Sequence, residues 1–253
     1  MNIANQVAIV TGGGSGLGRS MALGLAREGV KILIGEVRRP EGERVVEEIF
    51  AHGGKAELYV GHISQENVVQ QTINFCIERF KKIDILINNA GLRMENDVDG
   101  GYETWRRFQK RLTHELPVEE WDLVVNVNLR GTFLCTHYAL PFMIRQRKGI
   151  IISISSTAGS RGVPGKSAYC ASKHAIEGLM KTVAEEVREY GISANSIHPG
   201  GGLSSMPDGN PDMIVPLVIF LARQDQAAIT GQTISALEWN KENLAAPSRT
   251  GTP

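Results

Sequence analysis

The sequence predicts an α/β protein in one domain, built on a doubly wound sheet of seven parallel strands. Three observations carry that expectation. Apolar runs too short for helices alternate with longer amphipathic stretches, the runs lack polar alternation, and a glycine-rich turn follows the first of them. A strand without alternation is buried on both faces, and strands separated by helices connect through right-handed crossovers, so helices must cover both sides of the sheet.

In chain order, the expected strands are residues 7–10, 32–34, 56–60, 83–87, 150–154, 193–197 and 233–236. Helical periodicity fills the intervals at residues 20–28, 41–51, 65–80, 119–145, 168–190 and 212–222. Pro216 falls inside the last of these, where it requires either a late helix start or a bend. Two stretches interrupt the rhythm: residues 92–117 are too long for a simple connection, and residues 200–210 form a glycine-rich link. The folded domain is expected over residues 1–240, with 92–117 as an inserted helical segment. Residues 241–253 are expected as a flexible tail, since the last of them offer little to bury.

Lys plus Arg and Asp plus Glu number 27 each, which leaves no electrostatic footprint for nucleic acid or an anionic membrane. No window approaches the roughly 20 apolar residues of a membrane span, and the opening residues lack a secretory pattern, so the expected compartment is the cytoplasm. Cys76, Cys135 and Cys170 lie far apart, an arrangement that argues for buried thiols rather than disulfides. No histidine stands at zinc-ligand spacing from another His or Cys, and no metal is expected.

Thr11-Gly12-Gly13-Gly14-Ser15-Gly16-Leu17-Gly18 runs directly from the first strand into the first helix. Glycines there let the backbone approach a pyrophosphate, and the unpaired N–H groups of the helix start favour the anion. Glu36 closes the second strand, about 20 residues on, where an acid binds the adenine ribose hydroxyls. A carboxylate at that place disfavours a ribose phosphate and points to NAD rather than NADP. Arg38 and Arg39 follow at once, either as solvated helix starts or as residues able to turn toward a phosphate.

Tyr169 and Lys173 stand four residues apart in a helical segment, so their side chains share one face. A neighbouring ammonium stabilises a phenolate and moves the tyrosine toward working pH, as general acid–base catalysis requires. The strand ending in Ile154-Ser155-Ser156 delivers serine hydroxyls to the carboxyl edge of the sheet, the usual ligand side of such folds.

With these residues together the chain, over roughly residues 4 to 236, resembles the short-chain dehydrogenase/reductase family, whose fold is Rossmann-like. The resemblance rests on Thr11 to Gly18, Asn88-Asn89-Ala90-Gly91, Asn128, Ser156, Tyr169 with Lys173, and His198-Pro199-Gly200. It implies that Ser156 orients the substrate oxygen, Tyr169 exchanges the proton, Lys173 binds the nicotinamide ribose, and Asn128 maintains a water-linked proton path to Lys173. It places Gly12, Ser15, Gly16, Leu17, Gly18, Glu36, His62, Ile63, Asn89, Ala90, Gly91, Pro199, Gly200 and Ser204 around the cofactor. The implied activity is hydride transfer between NAD and a secondary alcohol or ketone. The alternatives are a catalytically silent nucleotide-binding regulator and an epimerase or dehydratase that uses NAD internally. The partner is a small-molecule alcohol or ketone, and a homodimer or homotetramer is expected through the long helices.

Three departures stand out. His62 replaces the aspartate that usually touches the adenine amino group, the segment after Gly200 is short, and Ala236-Leu237-Glu238-Trp239-Asn240 replaces the usual Asp-Gly-Gly. The insert carries Tyr102, Trp105, Phe108 and Leu112 at helical spacing, which suggests a helix over the pocket mouth that selects an apolar substrate, or equally one buried against the body or another subunit.

Overall fold

The computed structural model describes residues 1–92, 111–200, 210–225 and 227–244. Seven strands form one parallel sheet: β1 (Val7–Thr11), β2 (Lys31–Glu36), β3 (Ala56–Val60), β4 (Ile85–Asn88), β5 (Gly149–Ile154), β6 (Ile192–His198) and β7 (Thr233–Ser235). Their order is β3-β2-β1-β4-β5-β6-β7. The chain winds one way from β1 to β3 and the other way from β4, so the switch point lies between β1 and β4, where such sheets leave a crevice for ligands. Helices α1 (Gly16–Arg27), α2 (Arg39–Ala51), α3 (Glu66–Phe80), α4 (Val118–Val125), α5 (Gly131–Gln146), α6 (Ser167–Val187), α7 (Val215–Ala222) and α8 (Ala236–Asn243) complete the body.

Each central strand feeds both faces. Ala8 and Val10 of β1 and Ile152 and Ile154 of β5 pack with α1 and α7, whereas Val7, Ile9 and Ile151 pack with α3, α5 and α6. The uninterrupted apolar strands are thereby explained, since neither face meets water. β4 starts two residues later than expected because Asp84 satisfies Val7 through its side chain, Oδ2 accepting from the Val7 N–H at 2.8 Å.

The segment expected as one helix over residues 119–145 is interrupted by a π-helical turn at Asn126–Arg130. The Thr132 hydroxyl donates to the Asn128 carbonyl at 2.7 Å in that turn. The segment expected to end at residue 190 leaves α-geometry at Val187 and finishes as a 3₁₀ turn. Pro216 is accommodated by a late start: a 3₁₀ turn at Pro211–Ile214 precedes α7, and the proline sits in its first turn, where no N–H is needed.

The sequence reading extended β7 to Ala236 and ended the folded domain at residue 240. Instead Ala236 opens α8, and the helix continues to Asn243. Ser235 caps it by accepting from the Glu238 N–H at 3.3 Å, Trp239 packs on Phe220 with ring centroids 5.1 Å apart, and Asn240 donates to the Met213 carbonyl at 2.6 Å. The insert aromatics Tyr102, Trp105 and Phe108, Ser204 and residues 245–253 lie outside the described residues. Among the described residues, no helix is long and apolar enough to cross a membrane, and no acidic, His or Cys cluster could hold a metal.

Candidate active site

The glycine turn and the turn after β4 are stitched together at the switch point. Thr11 Oγ1 accepts from the N–H groups of Asn89 (3.0 Å) and Ala90 (3.1 Å), while Asn89 Nδ2 donates to the carbonyls of Thr11 (2.9 Å) and Gly12 (3.1 Å). Side chains are excluded at the centre of this seam. A Cβ on Gly12, whose φ is +62°, would lie 2.9 Å from Ala90 Cα, and one on Gly18 would collide with the Gly12 carbonyl oxygen. The Ser15 side chain does not cap α1, which leaves the leading N–H groups of the helix available to an anion.

Glu36 ends β2 with only 5% exposure. Its Oε2 accepts from Gly14 N–H at 2.9 Å, and Oε1 accepts from Val37 and Arg38 N–H at 3.0 and 3.2 Å. Arg38 folds back over the glycine turn at the surface: Nε stands 3.8 Å from Glu36 Oε1, and a guanidinium N–H donates to Ser15 Oγ at 3.2 Å. Arg39 stays exposed and pairs with Glu43. At the end of β3, His62 Nδ1 lies 2.8 Å from Ser64 Oγ. Ile63 packs so closely on Gly131 that a Cβ there would meet its Cδ1 at 2.6 Å.

The candidate catalytic side chains come from the turn after β5, the π turn and α6. Lys173, 5% exposed, donates from Nζ to the Ile154 carbonyl at 2.6 Å, and Nζ lies 5.6 Å from the Tyr169 ring centroid. Asn128 is fully buried. It accepts from Leu92 N–H (2.7 Å), donates to the Leu92 carbonyl (2.9 Å) and donates to Ser172 Oγ (3.0 Å). A Cβ on Gly91 would stand 3.0 Å from Asn128 Oδ1 and 3.7 Å from Lys173 Nζ, so these three residues share one small space. Ser156 caps the 3₁₀ turn Thr157–Gly159, its Oγ accepting from Ala158 N–H at 3.2 Å. Pro199 is half-buried, and Gly200, at φ +86°, is pressed against Leu237 of α8.

Sequence reasoning missed three contributors. Thr11 ties the two turns, Leu237 backs Gly200, and Glu177 accepts from Ser155 Oγ at 2.6 Å. Thr11 stands in the glycine motif without a role assigned to it, Leu237 left no signal, and Glu177 left one, a lone acid on the apolar face of α6 between Ile176 and Met180.

The family model described as short chain dehydrogenase matches residues 6–213. This chain is a member of the short-chain dehydrogenase/reductase family. The 3-oxoacyl-(acyl-carrier-protein) reductase FabG of Thermotoga maritima is 30% identical over 92% of this chain and 97% of its own length. The protein named likewise in Staphylococcus aureus is 35% identical over 90% and 94%. A metagenomic short-chain oxidoreductase in complex with NADP superposes with a TM-score of 0.81 at 28% identity, covering 93% of this chain and 98% of that one. Levodione reductase gives 0.80 at 28% identity, over 92% and 96%. As a short-chain dehydrogenase/reductase the protein is an NAD(P)-dependent oxidoreductase acting on CH–OH and keto groups. Nothing in these matches supports the silent regulator or the epimerase.

Proposed function

We propose that Tyr169 is the general acid and base of this oxidoreductase and that NAD is its preferred cofactor. The observation that carries the reading is the position of Lys173, one turn beyond Tyr169 and held to the strand that delivers Ser156. Bound cofactor supplies or accepts the hydride at the nicotinamide. The chain's own residues handle the rest. Ser156 holds the substrate oxygen by hydrogen bond, and Tyr169 gives that oxygen a proton on reduction or takes it on oxidation. The Lys173 ammonium favours the phenolate. Asn128, its side chain fixed by Leu92 and Ser172, anchors water feeding Lys173 through its carbonyl, which also accepts from Thr132.

The residues present fit a dinucleotide. The glycine cradle, the uncapped start of α1 and a buried carboxylate at the end of β2 match its pyrophosphate and ribose. Glu36 favours NAD because its charge repels a ribose phosphate, and it engages Arg38, which would otherwise favour one. Gly12, Ser15, Gly16, Leu17, Gly18, His62, Ile63, Asn89, Ala90, Gly91, Pro199, Gly200 and Ser204 complete the cofactor site in this reading. The relatives named as 3-oxoacyl reductases make a β-keto thioester the first substrate class to test. A homodimer or homotetramer working in the cytoplasm is part of the same proposal.

The deciding experiment follows cofactor absorbance with acetoacetyl-CoA, cyclic ketones and secondary alcohols, each with NAD(H) and NADP(H). Turnover with a clear NAD preference, abolished by Tyr169→Phe, is the expected result. A strong NADP preference overturns the role given to Glu36, and a fully active Tyr169→Phe overturns the mechanism.

A further inference from the structure

We propose that Glu177 is a positioning residue that sets Ser156 opposite Tyr169 by gripping the neighbouring Ser155. The inference rests on the catalytic reading above. Three consecutive residues leave β5, and the first two are fastened before the third enters the site. The Ile154 carbonyl accepts from Lys173 Nζ at 2.6 Å. The Ser155 N–H donates to the Ile197 carbonyl of β6 at 2.7 Å, and its Oγ donates to Glu177 Oε1 at 2.6 Å. Tyr169, Lys173 and Glu177 occupy successive turns of α6, so the helix that carries the proton donor also fixes the strand end that carries Ser156.

The fastening is tight. Ser155 is 2% exposed and Glu177 is 9% exposed. The turn after Ser156 closes on the same pair: a Cβ on Gly159 would collide with Glu177 Oε1 and lie 2.5 Å from Ser155 Oγ. Packing alone does not explain a carboxylate here, because Ile176 and Met180 beside it are buried and an apolar side chain would carry no desolvation of a polar group. What the carboxylate adds is a short, directional, charge-assisted bond. Displacing a substrate-orienting group by about 1 Å lowers a rate by about 100-fold, so a device that holds Ser156 in register has a kinetic effect without touching substrate.

The test compares Glu177→Gln, Glu177→Leu, the double variant Ser155→Ala/Glu177→Leu and Tyr169→Phe with the wild type. Reduction of acetoacetyl-CoA, dissociation constants for NADH and NADPH, thermal melting and crystals soaked with cofactor are measured. Gln still accepts from Ser155 and should stay within about threefold of wild-type kcat. Leu and the double variant should each lose about 10- to 100-fold in kcat with cofactor affinity within about twofold, and Ser156 Oγ should move by about 1 Å relative to Tyr169. The double variant leaves no orphaned hydroxyl and so serves if the single Leu variant does not fold. Full kcat in the Leu variants, a Gln variant as slow as Leu, or a parallel loss of cofactor affinity overturns the proposal. If wild type does not turn over acetoacetyl-CoA, the crystals decide, and an unmoved Ser156 overturns it. An inactive Tyr169→Phe beside a fully active Leu variant removes only the role of Glu177, whereas an active Tyr169→Phe removes the catalytic reading itself.

Discussion

Lys173 and Ile154 are joined across the site, the buried ammonium donating to the last carbonyl of β5 at 2.6 Å. Together with the bond from Ser155 to Glu177, the contact fixes the distance between α6 and the end of β5. Lys173→Met keeps the aliphatic stem but removes both the donor and the charge that favours a phenolate. It should lower kcat/KM by about 100- to 10,000-fold, the range of a lost acid–base function, and move the pH optimum of any residual activity upward. A pH–rate profile of the variant checks this. An unchanged optimum would mean that the ammonium does not tune Tyr169.

Glu36 bonds the glycine turn, and the proposed selection against a ribose phosphate is a second role that substitution separates from the first. Glu36→Gln retains an acceptor for the Gly14 N–H but removes the charge that pairs with Arg38. The ratio of kcat/KM for NAD over NADP should fall by at least about tenfold, the worth of roughly 1.4 kcal/mol, because repulsion of a phosphate disappears and the guanidinium is released toward it. Parallel titrations with both cofactors measure the ratio, and a ratio that does not move rules out charge at this position as the selector.

The strands and the glycine turn were legible for a simple physical reason: both are local signals. Seven apolar runs without alternation mark strands covered on both faces, and glycines between a strand and a helix mark a close approach that Gly12 and Gly18 bear out. What could not be read depends on tertiary partners. Leu237-Glu238-Trp239 carries no helical period long enough to recognise, and α8 exists because Phe220 and Met213 meet it. Asn126–Arg130 has ordinary helical composition, so its π turn is visible only once Thr132 takes the Asn128 carbonyl. Glu177 stands on the apolar face of α6, but helical spacing does not say that Ser155 lies beneath it.

Gly18 tests the seam at the switch point. A methyl group there would collide with the Gly12 carbonyl and approach Asn89 Nδ2 at 2.6 Å, and backbone cannot retreat as a flexible side chain can. Gly18→Ala should therefore destabilise the fold by about 1–3 kcal/mol, the usual range for overpacking, and should weaken cofactor binding through displacement of the glycine turn. Urea unfolding and cofactor titration of the same sample measure the two effects. A variant with native stability and affinity would show that the seam has slack.

Two thiols give the protein an alkaline liability. Burial, and secondarily the charge of Asp84, pushes Cys76 up to about 12, and burial alone pushes Cys135 up to about 12. A thiol ionises on losing its proton, so a raised folded value means that the folded chain keeps the proton while the unfolded chain releases it from about pH 8.5 upward. Between roughly pH 9 and 12 the folded state binds more protons, and stability falls as pH rises, by up to about 1.4 kcal/mol per pH unit for each thiol. Urea unfolding at several pH values above 8 should show a steeper loss in the wild type than in Cys76→Ala/Cys135→Ala, whose starting stability is lower for want of packing. Parallel slopes would mean that the thiols are already exposed to water or already charged in the native fold.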